Sequence, residues 1–268
     1  MSKDIEAPES VTEPVRSHRD GLLWAFIGEL LLMAALIGVY ELGRHLADGN
    51  MGDAVRNAHG VWRLERVLRL PDEAAVQHGA LAWEPVARLS NLYYVGVHFP
   101  GTFLVLFWLF MRHRAQYLRV RTELLVLTAA GLAGHIMYPL APPRLVPDFG
   151  LTDTMLAVGP SAYPAGNTGF ANQYAAMPSL HVGWALLMAI AVIRVLHTPW
   201  RWLALLHPIV TTLVVVATAN HYWWDGIVAA FLLFAAIVLV RRWDFGDPPT
   251  ASRQAAFTST GTRHAVRS

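Results

Sequence analysis

Cysteine is absent from the 268 residues. No disulfide, thiolate metal site or thiol nucleophile is open to this chain. Lysine is almost absent too, since only Lys3 among the 21 basic residues is one. The net charge is +2, and no basic run forms a stripe fit for nucleic acid. Charged residues make up 15% of the chain and apolar ones 54%. About a quarter charged is usual in soluble domains. That shortage, with the apolar residues gathered in long blocks, excludes an ordinary soluble domain. The N-terminus is not expected to be a cleavable signal: a polar stretch precedes the first apolar block, and no small-residue cleavage site follows.

What is present reads as an all-α, polytopic membrane bundle. Residues 1–20 and 243–268 are polar and are expected to be disordered. Residues 21–242 form the membrane-embedded domain. The first block, 22–40, is long enough for a helix of about 28 Å, close to the hydrocarbon thickness. Its one charge, Glu29, is expected to face other helices, because lipid exposure costs about 2.5–3.5 kcal/mol. Five further spans are expected at 92–111, 123–140, 182–195, 202–219 and 223–240, making six. Between 46 and 90, Arg56, Arg63, Arg66 and Arg69 interleave with Val61, Trp62, Leu64, Val67 and Leu68. That pattern predicts amphipathic interfacial helices, the second opening at Pro71-Asp72-Glu73 and running to about Leu89.

Arginines orient the bundle. Arg112, Arg114, Arg119 and Arg121 join spans two and three. Arg194 and Arg201 join four and five, and Arg241 and Arg242 follow six. Those loops and both termini are expected in the cytoplasm of a cell-membrane protein. The 141–176 loop, with Arg144 as its sole basic residue, is expected on the outer face. The arginines of 46–90 run against this rule.

The chemistry-bearing residues gather at that outer face. His221 and Asp225 share a helical face, so the carboxylate can fix the imidazole tautomer and sharpen its other nitrogen. The same pair can equally serve as a structural helix cap. His181 follows Met177-Pro178-Ser179-Leu180 at the start of span four. Pro178 suits a helix start, and Ser179 can cap it beside free amides that attract anions. A plain helix start with a core histidine is the alternative. Topology puts His181, His221 and Asp225 at one depth, as acid, nucleophile and orienting group would need. Arg144 can hold phosphate oxygens or can snorkel to a headgroup. Asn220 and Tyr222 flank His221 and are expected, with Arg144 and Ser179, to contact substrate; Tyr222, Trp223 and Trp224 otherwise read as interfacial aromatics. His98 and Asn91 share a face near the outer end of span two and read as packing residues or headgroup contacts. His135 receives no role.

Met177-Pro178-Ser179-Leu180-His181 followed by Ala219-Asn220-His221-Tyr222-Trp223-Trp224-Asp225-Gly226 resembles the type 2 phosphatidic acid phosphatase superfamily. Asn91-Leu92-Tyr93-Tyr94, His98-Phe99-Pro100 and Pro142-Pro143-Arg144 narrow the resemblance to its inositol phosphorylceramide synthase and inositol phosphotransferase branch. It spans about residues 55–242. The resemblance implies that His221 carries a phosphohistidine, Asp225 orients it, and His181 protonates the leaving alkoxide. A lipid phosphate or phosphodiester from the surrounding lipids is the implied substrate, with no cofactor and no metal. Two positions depart from the superfamily pattern: its arginine and serine before the final histidine are Val215 and Val214 here. Transfer of a phospho-headgroup is the leading expectation. Hydrolysis with water as acceptor is the alternative, and a transporter or membrane scaffold lining a path with Glu29, His98 and His135 is the reading of another class. Oligomeric state is open.

Overall fold

The computed structural model describes residues 51–160 and 174–243, with isolated positions at 27, 28, 31 and 38. Apart from those positions, the 22–40 block with Glu29 lies outside the described residues, as do residues 1–20 and 244–268. The chain divides into two units, Met1–Leu42 and Gly43–Ser268. The second carries the helices described below.

Two short helices come first, α1 (Met51–Val67) and α2 (Glu73–Leu81). They are followed by α3 (Glu84–Gly96), α4 (His98–Arg112) and α5 (Arg114–Met137). A one-turn helix, α6 (Thr154–Val158), interrupts the long loop. Then come α7 (Leu180–Val195), α8 (Leu206–Ala217) and α9 (Trp223–Val240). Among the described residues there is no strand, only an isolated bridge between Leu140 and Ala175. The stretches Arg114–Met137, Pro199–Ala217 and Trp223–Val240 are each long and apolar enough to cross a membrane. The bent pair α3–α4 makes a fourth if it counts as one span, and α7 is a shorter apolar helix.

The boundaries differ from the sequence expectation for local reasons. Asp72 caps α2, its Oδ1 accepting from Ala74 N at 3.1 Å. That helix stops at Leu81, and Pro85 suits the first turn of a new one at Glu84. The α3–α4 axis bends by 43° at Val97. Pro100 has no amide to give the Gly96 carbonyl, which breaks the helical ladder there. Helix α5 reaches back to Arg114, well before the expected 123. Its buried Glu123 is held by both carboxylate oxygens on Arg194 Nη1, at 2.9 and 2.7 Å. A paired charge tolerates the apolar surroundings that an unpaired one does not.

Helices α5, α7 and α9 pack against one another. Glycines let them approach. A Cβ at Gly131 would stand 2.6 Å from Leu180 Cδ2, and one at Gly183 would stand 3.1 Å from Leu127 Cδ2. The last turn of α1 is tied to the first of α9, because Glu65 Oε1 accepts from Trp224 N at 2.8 Å. Glu65 and Glu73 are both fully buried and hydrogen-bonded to each other, and Arg66 contacts Glu73. Burial, then that bond to Glu73, pushes the Glu65 carboxyl up to about 9, against the opposing pull of the Trp224 amide.

That shift fixes a sign. A carboxyl raised above its unfolded value near 4.5 adds its full stability below pH 4.5 and loses it as pH climbs towards 9. Glutamine mimics the protonated acid without the pH dependence. The variant Glu65→Gln is therefore expected to melt like the parent at pH 4.5 and above it, by a few degrees, at pH 8.5. Melting in detergent across that range checks it; a variant less stable at every pH would show that Glu65 is ionised in the fold.

Candidate active site

The site lies where two helices begin. Ser179 is the N-cap of α7, and its Oγ accepts from Val182 N at 3.5 Å. Its own amide donates to the Asp225 carbonyl in the first turn of α9, at 3.1 Å. The start of α7 is held from below by His135, whose Nε2 lies 3.1 Å from the Pro178 carbonyl. His135 thus has a structural role that its sequence position did not reveal. Helix α7 starts at Leu180, so Pro178 precedes the cap instead of opening the helix.

His221 sits in the short turn before α9. Its Nδ1 lies 3.2 Å from Asp225 Oδ2 and 2.8 Å from the Ala176 carbonyl. Both partners are acceptors, so Nδ1 carries the proton and Nε2 keeps its lone pair. The Asp225 side chain is fully buried, and Oδ2 also accepts from Tyr222 N at 3.0 Å. Two donors therefore fix one carboxylate oxygen. The amides of Asn220 and His221 donate to the Val215 carbonyl at 3.0 and 3.1 Å. Val215 thus shapes the turn through its backbone, although it lacks the guanidinium that the superfamily pattern puts there.

His181 stands beside this pair, its ring centroid 6.1 Å from that of His221. Tyr94 stacks on it at 4.4 Å, and His98 tilts against it at 4.7 Å. Arg144 approaches from the loop. Its amide donates to the Ala219 carbonyl at 3.0 Å, and its Nε donates to Asn220 Oδ1 at 3.0 Å. Asp153 Oδ2 lies 3.6 Å from the same Nε. Asn220 is thus a bracket for Arg144, itself steadied by Thr218 Oγ1 at 2.9 Å. Tyr222 is buried, with its hydroxyl donating to the Ala141 carbonyl at 2.9 Å. That bond turns its side chain into an anchor between the loop and α9.

The supports of Arg144 reach further out. Asp153 caps α6 through Met155 N and Leu156 N. Gln77 clamps Thr152 in both directions, at 2.8 and 2.7 Å. Asn91 binds the Thr154 and Gly159 carbonyls at 2.9 and 3.0 Å and accepts from Thr154 Oγ1. Asn91 is therefore a loop clamp. Gln77 and Ala176 went unnoticed in sequence: the first lies on the short helix α2, and the second acts through its backbone.

Burial pushes the His221 imidazole down to about 4; the Ala176 carbonyl opposes this and the Arg144 charge adds to it. The neutral ring therefore contributes its full stability above pH 6.5 and loses it as pH falls through 4. Ring-nitrogen NMR of the purified protein should show a single Nδ1–H tautomer at His221 that titrates near pH 4. A midpoint at 6.5 or a mixture of tautomers would contradict the assignment.

A family model described as the PAP2 superfamily matches residues 59–239. No curated protein sequence and no solved structure matches the chain. The matched stretch holds both helix starts, the loop that carries Arg144 and the bent α3–α4 pair, and it covers well over half of the 268 residues. The chain belongs to the PAP2 superfamily and is an enzyme of its phosphatase and phosphotransferase class.

Proposed function

We propose that the protein is a membrane phosphotransferase that moves a phospho-headgroup between a lipid and an alcohol, through a phosphohistidine on His221. The observation that carries this reading is the double hold on His221 Nδ1, by Asp225 and by the Ala176 carbonyl. It leaves Nε2 as a lone pair fixed in direction, which is what in-line attack on phosphorus needs. His181 gives its proton to the departing alkoxide and takes one back from the incoming hydroxyl. Arg144 and the amides at the start of α7 meet the charge of the phosphoryl oxygens. Transfer, in place of hydrolysis, follows from the valines at 214 and 215, which depart from the phosphatase pattern towards the inositol phosphotransferase-like branch.

The bundle completes this reading. Six spans are proposed: the 22–40 block, the bent α3–α4 pair, α5, α7, the Pro199–Ala217 stretch and α9. Helices α1 and α2 lie in the outer interface of the cell membrane, with both termini in the cytoplasm. Lipid then enters sideways from the outer leaflet.

The variant His221→Ala is expected to lose headgroup transfer over a phospholipid panel by at least roughly 10³-fold. Removing His181 as His181→Ala should cost about 10²–10⁴-fold with a lipid donor, and far less with a nitrophenyl phosphodiester, whose leaving group needs no proton. Equal turnover by parent and His221→Ala would sink the phosphohistidine. Inorganic phosphate without any transferred product would make the enzyme a phosphatase. For the topology, the natural chain has no cysteine, so Ala157→Cys carries a single thiol at an exposed position of α6. An impermeant reagent should label it in intact cells; labelling only after lysis would invert the orientation.

A further inference from the structure

His98 opens α4 at the bend and is 1% exposed. Its ring centroid lies 4.7 Å from that of His181 and 5.7 Å from that of His207. Among the described residues, neither ring nitrogen of His98 has a hydrogen-bond partner. The same holds for Nε2 of His181 and Nε2 of His207, whereas His207 Nδ1 is engaged by the Tyr93 hydroxyl at 2.6 Å. Four buried ring nitrogens on three adjacent imidazoles are thus unsatisfied. Buried polar atoms in folded proteins are nearly all paired, with protein, water or ligand. These atoms therefore mark a buried polar cluster among otherwise apolar and aromatic side chains.

The chemistry of these nitrogens selects the partner they would take. A neutral imidazole offers one donor and one acceptor. A hydroxyl matches both, and an ionised phosphate, which only accepts, does not. The rings against His98 are Phe99, His181, Trp184 and His207, with no guanidinium among them. The phosphoryl group belongs with Arg144, and the alcohol belongs with the histidines.

We propose that His98 binds a second hydroxyl of the alcohol, so that the enzyme's alcohol is a vicinal diol held with one oxygen on His181 and its neighbour on His98. This rests on the reading of His181 as acid and base towards the alcohol oxygen. In the second half-reaction the bond from His221 Nε2 to phosphorus breaks, the bond from the acceptor oxygen to phosphorus forms, and the hydroxyl proton passes to His181. His98 makes hydrogen bonds only, so it is a specificity-determining residue and takes no proton.

The test compares 1,2-octanediol with 1-octanol as acceptors, after loading the full-length enzyme from a nitrophenyl phosphodiester. The parent should transfer to the diol in preference. His98→Phe keeps a ring of similar bulk without the nitrogens. It should lose that preference by roughly tenfold or more while the nitrophenolate burst stays within about twofold. His98→Asn, which retains a donor and an acceptor, should recover part of the preference. The diol should also shift the His98 ring resonances of the unphosphorylated parent saturably. An unchanged preference in His98→Phe overturns the proposal, and so does a lost burst with preference intact, which would make His98 a prop for His181. If the parent shows no burst yet the diol shifts the His98 ring, the phosphohistidine reading fails and the subsite stands. If the burst is present and the diol neither shifts the ring nor is preferred, the subsite alone fails.

Discussion

The hydrogen bond from the Ser179 amide to the Asp225 carbonyl joins the first turns of two helices, and the site is built around that joint. Helix starts leave backbone amides without partners. Here one such amide is spent on the neighbouring helix, which sets His181 and His221 at a fixed spacing. The rest of the site hangs from the same joint. Asp225 gives its carbonyl to Ser179 and its carboxylate to His221 and Tyr222. One residue thereby fixes the position of one histidine and the tautomer of the other.

Around this centre the charges are paired through a chain of clamps. Gln77 and Asn91 hold the loop on both sides of Asp153; Asp153 and Asn220 hold Arg144. On the proposed reading, a guanidinium fixed in this way would lose little freedom on meeting phosphate. On the far side, Glu65 caps the Trp224 amide, and burial raises its carboxyl towards the neutral form. The surroundings are thus asymmetric, with Arg144 on the loop side of His221 and the Glu65–Glu73 pair behind α9.

How much of this was legible in sequence depended on whether a side chain carried the message. The His221–Asp225 pairing was read from helical spacing, but His221 lies in the turn before α9, and Asp225 reaches it as the capping residue of that helix's first turn. The all-helical class and the apolar blocks were legible, since periodicity and charge scarcity are side-chain properties. Arg144 emerged from being alone in its loop. The Ala176 carbonyl was invisible, since any residue supplies one. Tyr222 looked like a neighbour of the substrate; its hydroxyl on Ala141 shows a contact between segments far apart in sequence, which no local pattern encodes. The bend at Val97 did have a signal, Pro100, but the apolar run around it hid the break. His98 read as packing because its significance lies in the rings it meets from α7 and α8.

Gly131 has a consequence that belongs to genetics more than to chemistry. It lies on α5, distant in sequence from both motifs, and bears no functional group, yet a Cβ there collides with Leu180 next to His181. A side chain there must push Leu180 aside, and Leu180 precedes the histidine proposed as the acid. In a mutant collection, substitutions at Gly131 are therefore ones to group with changes at the proposed site, although they touch neither motif.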